Sequence, residues 1–260
     1  MTPEDSSLFQ DWLAALEARH LRDLRVPEVT RALRALSSAY VERRGQALDR
    51  TLDSAGKRAA FALFYAPLHM LTVDRIVRAL SQDAAPPESI LDIGCGTGVA
   101  GAAWVLAAGG RSRVNGIDRH PWAIEEARWN YRALRIDGGA RTGDITRLAP
   151  VAAGTAVIAA YVLNELTDQA RDLVVSRLSD AAGRGAQVLI VEPIARRVAP
   201  WWDTLTTRLL AAGARADEWR FEIDLPEPLR VFDRAAHLDH RELTARSLFC
   251  PGADVRSGVR

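Results

Sequence analysis

A chain of 260 residues with 48% hydrophobic side chains suits one large domain, or a core carrying a smaller lobe. A net charge of +1 excludes a strong overall field for nucleic acid, and the 34 basic residues are arginine throughout except for Lys57. Cys95 and Cys250 have no metal-binding spacing, so no metal centre or disulfide framework is expected and a reducing cytoplasm is the expected compartment. No run of 18 apolar residues and no apolar signal core occurs, so a soluble chain without membrane contact is expected.

Residues 5–80 read as helical. Leu8, Trp12, Leu13 and Leu16 recur at three- and four-residue spacing, which gives one apolar face. Asp5, Ser6 or Ser7 can cap that helix. Pro27 suits a first turn, followed by Val29, Leu33, Leu36 and Tyr40 on one face. A third helix is expected over Gln46–Asp53, a fourth over Lys57–Tyr65, an interruption at Pro67, and a last helix over Leu68–Leu80. Between Arg19 and Arg58 ten basic residues face five acids, a local excess of +5. Such an excess reads either as solvated helix faces or as an RNA-facing surface. Phe61-Ala62-Leu63-Phe64-Tyr65-Ala66-Pro67-Leu68-His69 is unusually aromatic, and Tyr65 and His69 stand four apart, on one helical face.

Residues 82–88, with Pro86-Pro87, form the expected linker. Strands and helices then alternate, the mark of a parallel sheet. The strands are expected at Ser89–Ile93, Val114–Asp118, Arg141–Gly143, Thr155–Tyr161 and Val188–Glu192. Helices are expected at Val99–Ala108, Pro121–Arg135, Asp168–Gly183 and Ala199–Ala212. Phe221–Leu225 and Arg246–Cys250 are candidate final strands. The division is thus a helical lobe over residues 1–83 and an α/β core over 84–260, with a lobe placed to shape an acceptor pocket.

The chemistry concentrates in Leu91-Asp92-Ile93-Gly94-Cys95-Gly96-Thr97-Gly98-Val99, a strand running into alternating glycines and then a helix. Such a loop lets a ligand approach the backbone closely and turns helix N–H groups toward it. A carboxylate at Asp92, two residues before the first glycine, would repel a pyrophosphate and suits a cationic or hydroxyl-bearing ligand. Asp118 ends the second strand, 26 residues after Asp92, where an acid can accept from ribose hydroxyls. Gly143-Asp144-Ile145 places a third acid at the next loop.

Together these motifs resemble the class I methyltransferases, over roughly residues 88–192. The resemblance implies a Rossmann-like sheet, mostly parallel with an antiparallel last strand, S-adenosylmethionine as cofactor and S-adenosylhomocysteine as product. It implies cofactor contacts from Asp92, Gly94, Cys95, Gly96, Gly98, Asp118, Arg119, Asp144, Ile145 and Tyr161. Arg119 stands where the superfamily commonly packs an apolar residue on adenine. The N/D-P-P-Y box of base-amine methyltransferases is absent; Tyr161-Val162-Leu163-Asn164-Glu165-Leu166 stands in its place. Tyr65, His69, Asn164 and Glu165 are the candidate catalytic residues, with Glu165 a possible base. Tyr161–Leu166, Val191-Glu192-Pro193 and Cys250-Pro251 also resemble the methyltransferase-like family of mitochondrial small-ribosomal-subunit assembly and its bacterial relatives. That family's iron–sulfur cluster is not expected here, for want of four thiolates. The acceptor stays open between ribosomal RNA or protein and a small metabolite. The alternative is a ribosome-assembly factor that binds the cofactor without transferring methyl.

Overall fold

The computed structural model describes residues 7–42, 52–80, 85–152, 154–194, 201–211 and 213–252. Three helices open the chain: α1 (Ser7–His20), α2 (Val26–Glu42) and α3 (Ala55–Leu80). The α/β part follows as β1 (Ser89–Ile93), α4 (Val99–Ala107), β2 (Arg113–Asp118), α5 (Pro121–Ala133), β3 (Gly138–Thr142), β4 (Thr155–Ala160), α6 (Asp168–Gly183) and β5 (Val188–Glu192). Helix α7 (Trp202–Leu210), β6 (Arg215–Glu222), α8 (Glu227–Ala235) and β7 (Glu242–Cys250) complete it.

The seven strands lie in the order β3-β2-β1-β4-β5-β7-β6. The pairs among β1 to β5 are parallel, and β7 runs antiparallel to both β5 and β6. This is the mostly parallel sheet with an antiparallel end expected from the sequence. The strand order reverses beside β1, whose carboxyl end carries the glycine loop. That is where open α/β sheets bind ligands.

One face of the sheet is covered by α3, α4 and α5, the other by α6 and α7. The first apolar cluster runs without a break from Phe9 and Trp12 through Phe64 and Leu71 to Trp104 and Phe249. Fully burying one such side chain contributes about 1.5–3 kcal/mol, so the N-terminal helices are held to the sheet by shared core.

The interruption expected at Pro67 does not occur. Ala55–Leu80 is one helix, long and apolar enough to cross a membrane but mostly buried inside the protein. Residues Phe61–Tyr65 form a π turn, in which the Ala66 N–H donates to Phe61 O. The wider turn opens the helix one residue before the proline, where the ring would otherwise press on the carbonyl four residues back. The expected helix Gln46–Asp53 lies outside the described residues except for Leu52 and Asp53, which are not helical. Residues 82–84 of the linker also lie outside them. The expected strand at Phe221–Leu225 is displaced to Arg215–Glu222, and β3 begins three residues early. Helix α8, with Leu229 and Phe232 buried, is an element that no sequence expectation covers. Strand β4 stops at Ala160, because Tyr161 turns into left-handed backbone at φ 58°.

Candidate functional site

The glycine loop takes a conformation that side chains rarely allow: φ is 62° at Gly94, 50° at Gly96 and 78° at Gly98. A Cβ on Gly94 would sit 2.2 Å from Val162 Cγ2, and one on Gly98 would sit 2.7 Å from Tyr131 Oη. Those two glycines make room for neighbouring protein. Gly96 differs, because a Cβ there would meet nothing within 4 Å. Its open side is the cradle a ligand would fill. The N-cap of α4 is Gly98, which has no side chain to cap the first turn, so donors remain there for a ligand.

Asp118 frames the same space. Its Oδ2 accepts from the Gly96 N–H at 2.9 Å and its Oδ1 from the His120 N–H at 2.8 Å. Carboxylate oxygens keep further lone pairs, so ribose hydroxyls can still donate to it. Arg119 beside it is exposed and lies near Asp144, whose carboxyl group it helps hold below the ordinary range. The main causes of that lowering are the Thr146 hydroxyl and N–H, at 2.7 and 2.9 Å from Asp144 Oδ1. Asp144 thus caps its own short turn. Ile145 is buried against the apolar cluster containing Ile117.

Two residues expected to face the cofactor turn inward. Asp92 is 1% exposed, and its Oδ2 accepts from the Gly101 N–H of α4 at 2.8 Å. Burial, with Asp118 adding repulsion, pushes it up to about 7. Its side chain sets the glycine loop against α4 from beneath and does not reach the open side of Gly96. Cys95 donates its backbone N–H to Ile117 O at 3.0 Å, and its thiol occupies the space a Cβ on Gly116 would need. It is a core filler, with its thiol pKa raised by burial.

Helix α3 crosses the carboxyl edge of the sheet. The His69 ring stacks on Tyr161 with centroids 4.0 Å apart and planes 18° from parallel. The Tyr161 hydroxyl reaches Thr72 on the same helix. Phe61 and Tyr65 pack around His69 at 6.1 and 6.4 Å. The Tyr65 hydroxyl shares a 2.8 Å hydrogen bond with Ser37 of α2, which turns it into the lobe. Burial pushes His69 down to about 4, so it is neutral at pH 7.

After Tyr161 the chain makes one tight turn, Leu163–Glu165, which holds Asn164 and Glu165. The cap of α6 is Thr167. Glu192, fully buried at the end of β5, fixes that turn. Its Oε1 accepts from the Leu163 N–H at 2.9 Å, and the Asn164 N–H also donates to it. Burial pushes Glu192 up to about 8, against the pull of those donors and of Arg246 and Arg171. Arg246 lies opposite Glu192 in the β5–β7 register and stands 4.3 Å over the Trp202 ring; Arg171 stands 4.7 Å over Trp201. Sequence reasoning had placed Glu192 at a strand end without assigning it this grip.

Sequence reasoning also missed the underside of the loop. Asn130 and Tyr131 of α5 brace it: Asn130 Nδ2 donates to Thr97 O at 2.9 Å, and Tyr131 lies under Gly98 and Gly116. No motif marks them. The only signal is polar atoms on the inward stripe of an amphipathic helix. Among the described residues no group of three or more His, Cys, Asp and Glu is arranged to hold a metal. His240 shares its Nδ1 with Asp233 at 2.5 Å.

Residues 90–185 match a protein family described as a methyltransferase domain. No protein of curated function matches the sequence. Among solved structures, the chain is similar to a mitomycin 7-O-methyltransferase, with 16% identity and TM-score 0.51 over 93% of this chain and 72% of that one. It is also similar to magnesium protoporphyrin IX methyltransferase of Synechocystis PCC 6803 with S-adenosylmethionine bound, at 17% identity and TM-score 0.48 over 72% and 80%. A third is an N-methyltransferase of Bradyrhizobium japonicum WM9 in complex with S-adenosylhomocysteine, at 17% identity and TM-score 0.46 over 70% and 86%. The first of these likenesses carries the fold, and the family match falls on the strands and loops that build the Gly96 cradle. Over residues 90–185 the chain thus carries a methyltransferase domain on a Rossmann-like fold, which supports methyl transfer from S-adenosylmethionine.

Proposed function

We propose that the acceptor is a small planar molecule presenting a nitrogen or oxygen nucleophile, bound between α3 and the turn after β4. The observation that carries this reading is the 4.0 Å stack of His69 on Tyr161, which seats the helical lobe on the strand tip beside the cofactor loop. An aromatic rim at that point suits a flat acceptor. On this reading residues 1–83 are the acceptor side and residues 84–260 the cofactor side, and the enzyme works in the cytoplasm with both cysteines reduced.

When bound, S-adenosylmethionine supplies an electrophilic methyl on its sulfonium. The chain's own residues hold, orient and exclude water. The Gly96 cradle and Asp118 receive the adenosyl part, with Arg119, Asp144 and Ile145 around the base. His69 and Tyr65 bound the acceptor on the lobe side, and Asn164 and Glu165 on the other. Holding donor and acceptor in line accounts for much of the acceleration of such a transfer. His69 at about 4 is a weak base, so its part is to position the acceptor. Glu165 takes the proton where the nucleophile must lose one.

A second reading is a ribosome-assembly factor or ribosomal RNA enzyme, favoured by the excess of ten basic over five acidic residues from Arg19 to Arg58. Methyl-labelled S-adenosylmethionine offered with planar phenols and arylamines, and separately with small ribosomal subunits, separates the two. Label in a small acceptor supports the proposal. Label only in ribosomal RNA or protein, or subunit binding without transfer, refutes it.

A further inference from the structure

Helix α1 grips α5 at two points on one face. At the first, the buried carboxylate of Glu126 accepts from Arg19 Nε at 3.2 Å and meets His20 Nε2 at 2.7 Å. One turn on, the Trp12 indole N–H donates to Asn130 Oδ1 at 2.8 Å, across 118 residues of sequence. The same amide donates its Nδ2 to Thr97 O, inside the glycine loop. Trp12 and Asn130 are each 1% exposed, so water does not substitute for either partner.

The chemistry fixes the direction of this relay. An indole nitrogen only donates, so the Asn130 oxygen must face Trp12 and its NH₂ must face Thr97. Without the indole N–H, the buried Asn130 oxygen loses its donor, and the amide loses the bond that fixes its position against the Thr97 carbonyl. Thr97 lies between Gly96, whose open side forms the cradle, and Gly98, which starts α4. A shift of its carbonyl moves both.

We propose that Trp12 and Asn130 are positioning residues for the cofactor, so that helix α1 is part of the cofactor-binding apparatus. Binding of the cofactor and docking of α1 then reinforce each other, because coupling between two sites is reciprocal. This rests on the reading that the glycine loop binds S-adenosylmethionine.

The test is calorimetric titration with S-adenosylhomocysteine of the wild type, Trp12→Phe, Asn130→Asp and the double variant, with Arg19→Ala as a control. Trp12→Phe keeps the ring and loses only the donor, and should raise Kd about fivefold, which is about 1 kcal/mol. Asn130→Asp should raise it tenfold or more. The double variant should bind no more weakly than Asn130→Asp alone, since Trp12 acts through that amide. Arg19→Ala removes a partly exposed partner of Glu126 while His20 and Trp12 keep α1 docked, so it should lower Tm slightly and leave Kd within twofold. In the wild type, S-adenosylhomocysteine should slow hydrogen exchange in α1, a readout that needs no variant. Unchanged affinity of folded Trp12→Phe, additive losses in the double variant, or unchanged exchange in α1 would each overturn the proposal. If the wild type itself does not bind, the assignment of the loop fails first and this proposal goes with it.

Discussion

Alanine at Gly96 and at Gly98 should have different consequences. Both positions have positive φ, 50° and 78°, which costs a residue bearing a Cβ about 1–2 kcal/mol. At Gly96 that is the whole cost to the free protein, because the added methyl meets nothing within 4 Å. A loss of about 1–2 kcal/mol lowers Tm by roughly 2–8 °C in a chain of this size. The same methyl enters the cradle, so Kd for S-adenosylhomocysteine should rise tenfold or more, about 1.4 kcal/mol. At Gly98 the methyl would lie 2.7 Å from Tyr131 Oη, on a ring that is 1% exposed. Overpacking adds about 1–3 kcal/mol, for about 2–5 kcal/mol in all. Gly98→Ala should therefore show the larger fall in Tm. Differential scanning fluorimetry and calorimetric titration on the same preparations read both quantities. If Gly96→Ala binds S-adenosylhomocysteine as tightly as the wild type, the open side of Gly96 is not where the cofactor lies.

Asp118→Ala removes the acceptor for two loop N–H groups and for the ribose; titration should show affinity lowered about ten- to a hundredfold, roughly 1.5–3 kcal/mol. His69→Ala and Tyr65→Leu, which removes the ring packed on His69, should leave cofactor Kd within about threefold, under about 0.7 kcal/mol, while cutting turnover much more once an acceptor is in hand. Lower Tm with unchanged turnover per folded molecule would remove both from the site. Glu192 titrates from an ordinary value of 4.5 up to about 8 when folded, so the folded state holds the extra proton and stability falls as pH rises between those values. Between pH 7 and 8 neither Asp92, pushed up to about 7, nor His69, pushed down to about 4, adds much slope. In that interval unfolding free energy should fall by up to about 1.4 kcal/mol per pH unit, and Glu192→Gln should flatten it. An unchanged slope in the variant would place the titration elsewhere.

The parts legible in the sequence are those set by local chemistry. Strand β1, strand β5 and helix α6 lie at the residues expected for them, Ser89–Ile93, Val188–Glu192 and Asp168–Gly183. The glycine spacing and the strand-end Asp118 point to the open cradle at Gly96, because close backbone approach and a strand-end acid are local demands. Contacts made across the fold were not legible. Asp92 reads as a ligand-facing acid until Gly101 is seen to take its oxygen. Pro67 reads as a break because periodicity does not reveal a π turn ahead of it. The pairing of Trp12 with Asn130 depends on how α1 meets α5, and Asn130 looks like any polar residue on a helix. The β6 register failed for a related reason: on an edge strand, with residues 215–222 alternating between exposed and half-buried, the apolar pattern is weak.

The most direct test of the account is a crystal structure with S-adenosylhomocysteine. The ligand should pass within van der Waals contact of the Gly96 Cα, with its ribose hydroxyls donating to Asp118 and its sulfur directed toward the space between His69 and Asn164. Density for the ligand away from Gly96, or a sulfur that points into open solvent beyond an undocked α3, would contradict it.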